Sequence, residues 1–70
     1  MDKTYLESQA SILINHYNSK RFAEVVKKGK VLIKKFPNQI IFYNATALSL
    51  SALGKNYEAL DILNLALNSN

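Results

Sequence analysis

Cysteine is absent from the chain. That removes disulfides, thiolate nucleophiles and cysteine zinc ligands together, and it fits a reducing compartment, so a cytoplasmic location is expected. Histidine occurs once, at position 16, and no carboxylate has a spacing that would orient it for proton transfer. Five acidic residues spread along 70 positions give neither paired carboxylates for acid–base work nor a metal-ligand cluster. The two glycines, Gly29 and Gly54, are isolated, which rules out a glycine-rich phosphate loop. The expectation is a protein without catalysis of its own and without metal or cofactor.

Long apolar runs are missing as well. Ile12-Leu13-Ile14 is far too short for the apolar region of a secretory signal, and no export signal is expected. No charge falls between Phe36 and Gly54, but Pro37, Asn38, Gln39, Asn44, Thr46, Ser49 and Ser51 interrupt that stretch. A membrane span needs about 20 predominantly apolar residues, so a central helix touched on several sides is the better reading.

What the chain does contain is apolar bulk and positive charge. With 49% hydrophobic and 20% charged residues it has the composition of one small, folded, helix-rich domain. Eight lysines and arginines stand against three acids before Phe36, whereas one lysine stands against two acids after it, so the formal net charge of +4 sits on the first half.

The helical period recurs in four segments. From about Thr4 to Tyr17, the residues Leu6, Ala10, Leu13, Ile14 and Tyr17 fall on one side. From about Arg21 to Phe36, the residues Phe22, Val25, Val26, Gly29, Leu32, Ile33 and Phe36 lie within about 120° when each residue advances about 100°. Pro37 closes this second helix, because proline drives the preceding residue out of the α region, and Asn38 suits a cap. The third segment, about Gln39 to Leu53, is apolar on most of its circumference and belongs in the middle. Gly54 supplies a left-handed stop, and the fourth segment runs from about Tyr57 to Asn68.

The chain also matches itself at an offset of 34: Leu13 falls on Ala47, Ile14 on Leu48, Glu24 on Glu58, Val25 on Ala59, Val26 on Leu60, Val31 on Leu65 and Ile33 on Leu67. A period between 20 and 50 residues is the mark of a solenoid. The second half carries Tyr43-x-x-Thr46-Ala47-x-x-Leu50, then Gly54, Ala59-x-x-x-Leu63 and Ala66, and in this it resembles the tetratricopeptide repeat (TPR) family. Pro37 stands where that family closes a repeat. The first half is a degenerate match, with Gln9, Leu13 and His16 on its first helix and Val25, Gly29 and Leu32 on its second. Tyr57 falls one residue later after Gly54 than the family pattern has it, which allows an extra residue in that turn; a pentatricopeptide-like or generic four-helix arrangement stays open. Ala47, Ala59 and Ala66 suit close helix approach, with Leu50, Leu60 and Leu63 expected to fill the gaps.

The resemblance implies an all-α fold of two antiparallel helix hairpins stacked as a short right-handed TPR-like solenoid, repeat one at about 5–37 and repeat two at about 38–70. It further implies a protein or peptide partner held in a groove lined by Ile14, Tyr17, Ile41, Asn44, Leu48 and Ser51, with Ala10 beside them. A terminal repeat pair leaves an apolar side bare, so Ile62, Leu65 and Leu67 are expected to be covered by copies of the same chain or by further repeats of a longer one. A second reading comes from the lysines of the second helix: Lys27, Lys30 and Lys34 share a positive arc that would hold RNA or another polyanion. Only Val31 and Glu24 break that arc, without the interleaved aromatics of nucleic-acid platforms.

Overall fold

The computed structural model describes residues 3–68 and is helical throughout, with α1 at Lys3–Asn18, α2 at Phe22–Lys35, α3 at Ile40–Ala52 and α4 at Asn56–Asn68. No strand occurs among the described residues. The expected limits of repeat two at positions 69 and 70 lie outside them.

Each turn follows from local chemistry. At the end of α1, Arg21 N donates to His16 O at 2.9 Å and Lys20 N donates to Tyr17 O at 3.0 Å. This is the Schellman arrangement, which requires a left-handed residue just past the helix, and Lys20 takes that role with φ of 62°. At the end of α3, Lys55 N donates to Leu50 O at 2.8 Å and Gly54 N donates to Ser51 O at 2.9 Å, with Gly54 at φ of 80°. Donors and acceptors of the two turns correspond pair by pair at an offset of 34. Three residues separate the helices in both cases, so the second turn holds no insertion relative to the first, and Tyr57, 86% exposed, points to solvent.

The link between α2 and α3 is built differently. Phe36 N donates to Leu32 O at 2.8 Å to close α2, and Pro37 follows, its carbonyl accepting a 2.8 Å hydrogen bond from the Tyr43 hydroxyl one turn into α3. That bond folds the proline turn onto the helix it precedes. Phe36 also carries a short aromatic row, with Tyr5 of α1 at 6.0 Å on one side and Phe42 of α3 at 5.9 Å on the other, both tilted. Such geometries contribute about 0.5–1.5 kcal/mol each beyond the area they bury.

α3 is the hub. It packs against α1, α2 and α4, whereas the backbones of α1 and α4, and of α2 and α4, do not meet among the described residues. Its side chains explain why: seven of its thirteen residues, Phe42, Tyr43, Ala45, Thr46, Ala47, Ser49 and Leu50, are buried, and none of the thirteen is charged. With Leu13, Val25, Leu32, Ile33 and Phe36 from the preceding pair and Ala59, Ile62 and Ala66 from α4, the five apolar ones, Phe42, Tyr43, Ala45, Ala47 and Leu50, form one continuous core. The Cα atoms extend 34 × 29 × 13 Å, so in the thinnest direction the chain is about two helix layers deep at the usual 8–10 Å axis separation.

Candidate interaction surface between α3 and α4

Along the outer side of the α3–α4 pair runs an open groove of about 580 Å³, walled by Asn44, Ala47, Leu48 and Ser51 from α3 and by Asn56, Ala59, Leu60 and Leu63 from α4. None of these eight residues is charged. The helical period sets them side by side: Asn44, Leu48 and Ser51 recur at intervals of four and three along α3, and Asn56, Leu60 and Leu63 do the same along α4. Leu67, four further on, extends the α4 row. Leu48, Leu60, Leu63 and Leu67 are 54%, 56%, 40% and 75% exposed, so four large apolar side chains stand on one side of the molecule. At the rim, the Ser51 hydroxyl donates to Asn56 Oδ1 at 3.4 Å and ties the end of α3 to the start of α4.

The same position in the first pair is closed. Moved back by 34, Ser51 and Asn56 become Tyr17 and Phe22, whose rings meet edge-on at 5.6 Å, and Leu60, Leu63 and Leu67 become Val26, Gly29 and Ile33. Val26 is half-buried, and Gly29 and Ile33 are buried, because α3 lies over that side of α2. At an offset of 34, the α4 side of the groove thus corresponds to a side of α2 that α3 covers.

Of the six residues expected to line a peptide groove, Asn44, Leu48 and Ser51 do wall this one. Ile14 and Ile41 are only about a third exposed and Tyr17 is half-buried against Phe22, and none of the three reaches it. The α4 wall was not expected: Leu60 and Leu63, assigned to interhelical gaps, face out instead. The expectation that Ile62, Leu65 and Leu67 stand bare together also needs correction. Ile62 is 7% exposed and belongs to the core, since it shares a face with Ala59 and Ala66, the two small residues along which α4 approaches α3. Leu65 is half-exposed and flanks a smaller hollow of about 280 Å³ between α2 and α4, with Lys30, Ile33, Lys34 and Ile62.

Lys27, Lys30 and Lys34 are all exposed on α2, but Lys30 Nζ lies 4.0 Å from Glu58 Oε1 of α4, both side chains about half exposed. A surface pair of this kind contributes about 0–1 kcal/mol, yet it turns one member of the arc toward an acid. Lys35 Nζ sits 5.9 Å from the centre of the Tyr5 ring, on the α1 side.

Among the described residues no three of His, Cys, Asp and Glu come together as a metal site would require, and no helix is long and apolar enough to cross a membrane. α3, at thirteen residues, spans about 20 Å against a hydrocarbon layer of about 30 Å. Comparison with known protein families, curated proteins and solved structures finds no match.

Proposed function

We propose that this chain is a protein–protein interaction module of the tetratricopeptide type, without catalysis of its own, which works by presenting the α3–α4 groove to an apolar segment of another polypeptide, copies of itself included. One observation carries the reading: a side of α2 that α3 covers recurs, 34 residues on, as a side of α4 with its leucines exposed. The matching hydrogen bonds of the two turns support a repeat as its source. A fully buried large apolar side chain is worth about 1.5–3 kcal/mol, so four exposed leucines offer a partner several kcal/mol of burial. An apolar floor with Asn44, Ser51 and Asn56 as its polar groups suits an amphipathic helix, whose apolar face supplies affinity and whose flanks meet the amides and the hydroxyl.

Selection of displayed helical peptides against the 70-residue chain tests this. Selected peptides should bind Leu60→Lys at least tenfold more weakly and Lys27→Glu unchanged. Binding that survives Leu60→Lys and Leu48→Lys but falls with Lys27→Glu and with added salt would replace this reading with the polyanion one through Lys27, Lys30 and Lys34.

A further inference from the structure

We infer that the occupant of the α3–α4 groove is a second copy of the same groove, giving a two-fold dimer in which two α3–α4 pairs form a four-helix bundle. The inference rests on the interaction reading above and names its partner.

The groove is self-complementary. It contains projections, Leu48, Leu60 and Leu63, and recesses, Ala47 and Ala59, on the same face. A two-fold operation brings each projection over the partner's recesses, as an isologous contact requires. Extending the stack with a head-to-tail copy is disfavoured twice. Where α3 inserts Phe42, Tyr43, Ala45, Thr46 and Ser49, α1 at an offset of 34 offers Ser8, Gln9, Ser11, Ile12 and Asn15, a mostly polar set in which Ile12 alone is a large apolar side chain. And where Gly29 lets α3 come close to α2, the groove has Leu63, which holds an incoming helix further out.

Charge points the same way. The chain carries a formal net charge of +4, with eight of its nine lysines and arginines ahead of Phe36. The groove walls are uncharged, so two copies meeting there keep their lysine-rich α2 helices off the interface. The face is about 20 Å long and two helices wide, about 400 Å² a side, which is below the usual size of a stable interface, so the dimer is expected to be weak and to form only as concentration rises.

The lack of cysteine makes the test clean. Light scattering between about 1 µM and 1 mM should show the mass rise from 7.9 kDa to roughly twice that. Leu60→Lys should raise the dissociation constant at least tenfold while leaving the helical circular dichroism unchanged. Under oxidation, Leu60→Cys or Leu63→Cys should cross-link to itself, and a mixture of Ser11→Cys and Leu63→Cys should give no mixed product. A mixed product without self-linked Leu63→Cys would overturn the two-fold arrangement in favour of a head-to-tail stack. A monomer at 1 mM would overturn self-recognition altogether; peptide selection sensitive to Leu60→Lys would then leave the groove as an interaction site, and its failure too would remove both.

Discussion

Gly29 of α2 lies directly against Thr46 of α3: a Cβ placed on the glycine would overlap the threonine hydroxyl and stand 3.2 Å from its Cβ. The threonine side chain cannot swing freely, because its hydroxyl donates to Phe42 O at 2.7 Å and the residue is fully buried. A hydrogen at position 29 is what lets the two helices approach, so this contact sets their spacing.

Gly29→Ala should therefore destabilise the fold by about 1–3 kcal/mol, the range for overpacking, despite a gain of about 1 kcal/mol in helix propensity. Thr46→Ala in the same chain removes the overlapping oxygen but keeps the Cβ, and should recover part of the loss. Urea denaturation of the two single variants and the double one reads the coupling; strict additivity would show that the helices are not spaced by this pair.

Lys20 holds a left-handed backbone, where a side chain costs about 1–2 kcal/mol. Lys20→Gly should raise stability by about 1 kcal/mol, which for a domain of this size is about 4–8 °C in melting temperature. At the matching position nothing lies within 4 Å of where a Cβ on Gly54 would be, so Gly54→Ala isolates the backbone term and should lower stability by about the same amount.

The hydroxyl of Ser49 is buried in α3 and has no hydrogen-bond partner among the described residues. An unpaired buried hydroxyl costs about 1–3 kcal/mol, and alanine is the better helix former. Ser49→Ala should stabilise the fold by about 1–2 kcal/mol in thermal denaturation; a loss would reveal a partner for that oxygen.

Ile62 and Leu67 have opposite surroundings on one helix. Ile62→Ala should cost about 2–5 kcal/mol by opening a core cavity, whereas Leu67→Ala should stay within about 0.5 kcal/mol when the chain is dilute and monomeric. Chemical denaturation at low micromolar concentration checks both.

The helices were legible from the sequence because α2 has a single stripe: every residue from Phe22 to Phe36 placed on it is buried or half-buried. The uncharged α3 was legible as the middle for the same reason. α4 was not, since it carries two apolar rows of identical spacing, Ala59, Ile62 and Ala66, and one residue later Leu60, Leu63 and Leu67. Periodicity cannot choose between rows about 100° apart. The choice falls to side-chain size, because the alanines permit α4 to lie close to α3 and carry Ile62 inward with them, which turns the bulkier row out. In the first turn, Tyr17 and Phe22 stand where the second has Ser51 and Asn56; the aromatic contact and the polar rim occupy one structural position, and only the fold reveals it.

Because α3 alone joins the other three helices, losing it would leave α4 with nothing but side-chain contacts to α2, while losing α4 spares the union of α1, α2 and α3. Amide protons should accordingly surrender to deuterium earliest along the outer helices, α1, where Leu13 alone is fully buried, and α4, and last within α3, with the proline-linked α2 close behind. A uniform loss across all four would mean that the chain opens in one concerted step.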